Sequence, residues 1–564
     1  MTRLQRLALI IAIVFTARLV VPTHASAQGQ GSSTPVTISI VGTSGPGAYT
    51  PNTAPVSTGT AVVWKNNDSR THHIVLDDGS ADLGNLQPGA TSRAVTLNSS
   101  SPVTFHCTIH PSMVGSINGS APPAASASQA TSSYGYGETP DTGAQPEFPG
   151  IPPSQNKIEM QAGAYTVRVY GTLLLNTSRS SGGLIGQDVP LWTSPSAGNV
   201  TFPDGTVGHS RDTHDLIFTM RQSIVGLALN PANPGAGWST SGRIETDFFG
   251  PRPVDTFVPQ NRALNTPRLR VAYFQLEHKR TRIVFGQDKM ILAPLDPISL
   301  SHVALPLGAT AGDLWAWLPQ IRIDVRPSIF VLQAGVLRPQ FGDPRLETPP
   351  AAGTSLDTGA SGLGERSTQP FYQGRVAVEP HVFGSKASIG IAGHMGRERI
   401  GVDRTLRSSA VAFDANVPFG HHLIARGEAF NGSNLIPFQG GIAQGAAVQA
   451  ATPATAPPLA IQAIHSKGGW AEATVLPDSH GKNAVYIGLG SDRPKVSTLL
   501  PGSTRVENTF YWISYFRKLT DNVTAAVEWS QWHFHTITFT NGVAGPKGPD
   551  NKADVVNVSF AYQF

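Results

Sequence analysis

Along most of the chain apolar and polar residues alternate with period two. Ile321, Ile323 and Val325 alternate with Arg322, Asp324 and Arg326, and runs of the same kind occupy 166–175, 269–276, 410–417, 484–489, 506–516 and 523–534. Successive side chains of a strand point to opposite faces, so this pattern predicts β-strands with one apolar face. Loops rich in Gly, Pro, Asn and Asp separate them. From residue 157 onward each run approaches the roughly 9–11 residues that a tilted transmembrane strand needs. Such strands cross a bilayer only as a closed barrel, because every backbone donor and acceptor must be paired internally. The length of this part suggests about 16 strands. A soluble β-sandwich or a propeller is the alternative, and no repeat near roughly 40–50 residues supports the propeller.

The last strand weighs against the sandwich. Val556, Val558, Phe560, Tyr562 and Phe564 share one face, Asn557, Ser559, Ala561 and Gln563 the other, and the chain stops on phenylalanine. This resembles the closing strand of bacterial outer-membrane barrels. Phe510, Tyr511, Trp512, Tyr515, Phe516, Trp529 and Trp532 in the late strands are candidates for interfacial aromatic girdles. The resemblance is to general outer-membrane porins and covers about 400 residues by pattern rather than by a defining motif. It implies an even-stranded antiparallel barrel with both termini facing the periplasm, and a homotrimer.

The N-terminal part reads differently. Arg3 and Arg6, an apolar run over 7–17 and Ala25-Ser26-Ala27 fit a cleaved secretion signal over 1–27. That run is broken by Arg18, and no later run reaches the roughly 20 apolar residues of a spanning helix. Short strand-like runs at 36–41, 60–65, 94–97 and 103–106 predict a small all-β sandwich over 34–119. Residues 120–156, rich in Pro, Ala, Ser and Gly, cannot bury enough apolar surface to fold alone and read as a linker. The barrel then occupies 157–564.

The net charge of +4 changes little, and no cluster of Lys or Arg interleaved with aromatics points to nucleic acid. Cysteine usage says more. One Cys, Cys107, in an exported chain has no internal disulfide partner. It lies in F-H-C-T-I-H-P-S-M, where Cys107-x2-His110-x2-Met113 offers a thiolate, an imidazole and a thioether from one tight loop that Pro111 stiffens. A soft thiolate, two imidazoles and a weak axial thioether suit a copper ion that shuttles between Cu(I) and Cu(II). W-K-N-N-D-S-R-T-H-H-I-V supplies the second imidazole about 35 residues upstream, from either His72 or His73. Structural zinc seldom takes a thioether.

Both segments resemble the cupredoxin family of blue-copper proteins, especially amicyanin and pseudoazurin. A Trp/Asn-rich strand there leads to the first histidine, and the Cys–His–Met loop follows. The resemblance implies a Greek-key β-sandwich and a type-1 copper site formed by His72, Cys107, His110 and Met113. Thr71 stands where the family often has Pro, which loosens the register between His72 and His73. Asn66 or Asn67 is expected to hold the ligand loops together; His106 is expected to point away from the metal.

No G-x-S-x-G, H-E-x-x-H, P-loop or C-x-x-C motif appears, and G-A-S-G-L-G from Gly359 lacks the strand-then-helix context of a dinucleotide fold. No enzyme is expected. Arg268, Arg270, Arg280, Arg282, Arg322 and Arg326 either line a pore that favours anions or are loop or rim charges. The first functional expectation is an electron-transfer protein anchored in the outer membrane, with its copper domain in the periplasm beside a redox partner protein. The second is an outer-membrane channel, for solutes or for copper uptake, whose copper domain binds or stores the ion. A third is a binding scaffold without redox chemistry.

Overall fold

The computed structural model describes residues 35–119 and 158–564, apart from 43–47, 69, 79, 98–100, 110–112, 187, 194–198, 203, 210–214, 232–236, 251–265, 342–361, 450–459 and 479–481. The proposed signal segment 1–27 and linker 120–156 lie outside the described residues. The chain divides into two compact units near residue 132, and both are all-β.

The first unit has eight strands: β1 (Val36–Ile40), β2 (Tyr49–Thr50), β3 (Ala61–Asn66), β4 (His72–Leu76), β5 (Asp82–Leu86), β6 (Val95–Thr96), β7 (Val103–Cys107) and β8 (Val114–Ile117). They form two four-stranded sheets, ordered β2-β1-β3-β6 and β5-β4-β7-β8. β1 runs parallel to β3, with Ile38 beside Trp64. Ile38, Ile40, Trp64, Ile74, Leu76, Phe105, Met113 and Ile117 are buried together as the core of the sandwich. Two edge-to-face aromatic contacts, Tyr49–Phe105 at 4.9 Å and Trp64–Phe105 at 5.1 Å, fill its centre. Phe105 fits because residue 115 is glycine: a Cβ there would stand 2.4 Å from the ring.

The second unit is a closed antiparallel barrel of 16 strands. In chain order they are β9 (Tyr165–Ser180), β10 (Ile224–Pro231), β11 (Ser239–Asp247), β12 (Arg268–His278), β13 (Thr281–Lys289), β14 (Trp317–Val325), β15 (Phe330–Leu337) and β16 (Phe371–Val378). There follow β17 (Ser388–Arg399), β18 (Thr405–Phe419), β19 (Leu423–Ser433), β20 (His465–Val475), β21 (Asn483–Pro494), β22 (Arg505–Lys518), β23 (Val523–Thr540) and β24 (Asn551–Gln563). Each pairs with the next, and β24 closes on β9 with Tyr562 opposite Leu173. Closure leaves no unpaired sheet edge.

The alternation read from the sequence sorts the wall into two faces. Leu227, Ile321, Ile323, Val376, Ile391, Phe413, Leu489, Ile513, Phe560 and Tyr562 point outward and are exposed. Arg322, Asp324, Asn557, Ser559 and Gln563 point into the lumen and are buried. An apolar exterior around a polar interior inverts a soluble barrel and matches a wall that faces hydrocarbon. The late aromatics divide between the faces: Tyr511 is outward, but Phe510, Trp512, Phe516 and Trp532 are buried inside and belong to no girdle. Short turns join β12 to β13 and β18 to β19 at one end, whereas long segments leave β13, β15 and β19 at the other.

Candidate metal centre and barrel lumen

In the sandwich, β4 and β7 are antiparallel neighbours with Ile74 opposite Cys107. This register brings His72, at the start of β4, beside Cys107, at the end of β7. His72 Nδ1 stands 3.7 Å from Cys107 Sγ, and both residues are fully buried. The other ring nitrogen, Nε2, is 2.9 Å from Asp68 Oδ2. A carboxylate there accepts a hydrogen bond from Nε2–H, which leaves the Nδ1 lone pair toward the sulfur. Met113, also fully buried, follows at once, its carbonyl accepting the Cys107 N–H at 3.1 Å. The His73 N–H points at Cys107 Sγ from 3.5 Å.

The donor set fits a metal. Bonds of about 2.3 Å to sulfur and 2.0 Å to nitrogen, meeting at a trigonal angle, place the two donors roughly 3.7 Å apart. The thiolate and the imidazole meet at a buried point, and Met113, in the same buried cluster, brings a thioether; these are ligand types that copper favours. His110, the fourth expected ligand, lies outside the described residues. His73 turns away, its Nε2 held 2.6 Å from Asp82, and His106 is held by Asp77 at 2.5 Å. Of the two asparagines, Asn66 is the clamp: fully buried, it donates to Arg70 O at 2.7 Å and Leu86 O at 2.8 Å. Asn67 donates instead to Ser39. Asp68 carries no motif, and only its place four residues before His72 marks it in the sequence.

The barrel interior holds a second site. The segment between β13 and β14 folds inward, and Leu292, Leu295, Ile298, Leu300, Leu307, Ala311 and Leu314 along it are buried. Lumen side chains stitch its backbone to the wall: Gln373 accepts from Ile291 and Leu292 at 2.8 and 3.0 Å, Glu428 from Leu295 at 2.7 Å, and Glu472 from Ile298 at 2.8 Å. Gln222 accepts from Val303 and Ala304 at 2.8 and 2.9 Å. Leu295, Leu307 and Ala311 pack with Trp470, Phe510, Trp512 and Trp532, which is why those aromatics face inward. An apolar run between two alternating strands was the sequence signal for this segment, because a solvent-exposed loop would not carry it.

The wall of β11 to β14 is charged but paired. Arg268 and Arg270 meet Asp247 at 2.6 and 3.1 Å, Arg270 also meets Glu245 at 2.8 Å, and Arg282 meets Asp324 at 2.6 Å. Arg322 lies between Asp288 and Asp324 at 3.0 and 3.2 Å. The six arginines divide between the two alternatives left open by the sequence. Arg268, Arg270, Arg282 and Arg322 face the lumen as neutralised pairs. Arg280 and Arg326 sit at short turns, Arg326 bound to Glu379 at 3.2 Å.

No family model matches the chain, and no curated protein matches it. Among solved structures, the outer membrane channel DcaP of Acinetobacter baumannii is similar over 72% of this chain and 99% of its own, at 13% identity and a TM-score of 0.50. An anion-selective porin from Comamonas acidovorans aligns over 71% of this chain and 100% of its own, at 13% identity and a TM-score of 0.42. A purple cupredoxin from Nitrosopumilus maritimus aligns over 14% of this chain and 96% of its own, at 25% identity and a TM-score of 0.14. The first of these bears on the fold: the second unit has the fold of the outer-membrane porins.

Proposed function

We propose that the chain is an outer-membrane channel that carries a copper-holding domain. The observation behind the channel is the inverted wall, apolar outside and polar inside, together with a segment drawn into the lumen where it narrows the passage. The first barrel strand begins and the last one ends on the side of the short turns, where Tyr165 pairs with Pro231 and Gln563 with Thr172. Barrels of this class turn their short turns to the periplasm, so this barrel would begin and end there, in the compartment proposed for the copper domain. Its lumen pairs arginines with carboxylates and passes small polar solutes with weak preference for charge. Liposomes containing the full chain should swell in sugars up to a sharp size limit. Liposomes that stay impermeable to every sugar tried would remove this reading.

A second reading, electron transfer, is favoured by the 3.7 Å approach of His72 to Cys107. A copper ion at that point would supply one-electron chemistry between Cu(I) and Cu(II). The chain's own part is to hold donors still: Asp68 fixes the imidazole, Asn66 ties the His72 loop to β5, and burial keeps water from the sulfur. His72, Cys107, Met113 and His110 are the residues that would hold it. Ascorbate followed by an oxidant should bleach and restore the colour of the copper-loaded chain. Copper that stays bound without cycling would leave a storage or delivery role for the domain.

A further inference from the structure

Two arginines on the outer wall face each other without a counter-charge among the described residues. Arg397 on β17 and Arg407 on β18 are directly opposed in the ladder, both point outward and are exposed, and neither meets a carboxylate among the described residues. Like charges directly opposite destabilise an antiparallel pair. They lie at the end of the wall that bears the long segments, beyond the apolar belt. Lys467, exposed and likewise unpaired among the described residues, lies on the same side two strands away.

Directly beneath them the wall is hollowed. Ala334, Gly374 and Gly393 are cross-strand neighbours on β15, β16 and β17, so three small residues stand in a row between the larger outward rows Leu332–Val376–Ile391 and Val336–Tyr372–Met395. Large side chains, Ile321, Ile323, Tyr372 and Met395 among them, flank this row. Together they bound an open apolar groove of about 1010 Å³. Arg407 lines the same groove, with Ser409 and Ser433 beside it.

An apolar groove running into an unpaired cationic head is complementary to an acylated, anionic amphiphile. We propose that this face binds a phosphorylated, multiply acylated lipid of the outer leaflet, acyl chains in the groove and phosphate between Arg397 and Arg407. This rests on the reading of the barrel as a membrane protein. The phosphate resolves the repulsion of the opposed guanidiniums, which are suited to bidentate phosphate contacts. The chains cover the row of small residues.

The test is native mass spectrometry of the full chain released from detergent after incubation with bisphosphorylated hexa-acyl lipid A, beside the same glycolipid without phosphates. The wild type should retain the phosphorylated form, and Arg397→Gln with Arg407→Gln should weaken that retention about thirty-fold, taking each basic residue near a membrane surface at its usual worth. Gly393→Leu should also lower retention with every charge in place. A Cβ at Gly393 has nothing closer than 3.9 Å, so the barrel should tolerate it. Millimolar inorganic phosphate should not displace the lipid; displacement would reduce the site to a simple anion site and overturn the acyl half. Equal retention of both lipids, or unchanged retention by the arginine variant, would overturn the proposal. Heat-modifiable mobility and channel activity of the same samples report separately whether the membrane-barrel reading holds.

Discussion

His72 Nδ1 faces Cys107 Sγ across 3.7 Å while its Nε2 is held 2.9 Å from Asp68. One ring is thus oriented from both sides, with the carboxylate choosing the tautomer that leaves a donor toward the sulfur. Asp68→Asn keeps the shape but weakens the acceptor. It should lower copper affinity about 10–100-fold, the usual cost of losing such a partner. Cys107→Ser should abolish the coloured site, and competition with a copper chelator reads both. An Asp68→Asn protein with wild-type affinity would mean that His72 is not held as a ligand.

Asn66 ties three places together: Arg70 O, Leu86 O and the Asp68 N–H, the last at 2.9 Å. Asn66→Ala removes this donor from the buried Leu86 carbonyl, at about 1–3 kcal/mol when no water replaces it, and from the more accessible Arg70 carbonyl, where water can take its place. Hydrogen exchange of the full chain should show protection falling across β3 and β4. Protection in the barrel strands should be unchanged.

Asp247 neutralises two lumen arginines, Arg268 and Arg270. Asp247→Asn removes one negative charge and frees part of both guanidiniums, so the lumen becomes more positive. The reversal potential across a salt gradient should move toward the anion value, most at low salt where screening is weak. A shift toward cations would contradict the assignment of these pairs to the conducting lumen.

The inward segment is seated through Gly312. Its φ is +114°, and a Cβ there would lie 2.2 Å from Gly469 O, so the segment touches the wall backbone to backbone. Gly312→Val should lift it from β20 and change single-channel conductance while the outer wall stays intact. Unchanged conductance would place the segment outside the permeation path.

Some of this was legible in the sequence and some was not, for physical reasons. The parity of 556–563 gave the outward and inward faces of β24 correctly, because one face is purely apolar and the other polar. Parity failed for Phe510, Tyr511 and Trp512, where both faces carry aromatics and only the inward segment decides which face is inside. That segment has no period to read, since its apolar residues answer to Trp470 and Phe510 from distant strands. In the sandwich, the Cys107 loop was marked by ligand spacing and Asn66 by its position before the histidines. Asp68 was not, because one carboxylate in a turn resembles any other until the fold brings it to His72.

The channel is the central claim, and planar-bilayer recording of the purified full chain tests it most directly. The account predicts discrete, voltage-stable current steps whose size changes in Gly312→Val and whose ion selectivity moves toward anions in Asp247→Asn. A correctly folded, heat-modifiable barrel that inserts without conducting at any salt concentration would contradict it.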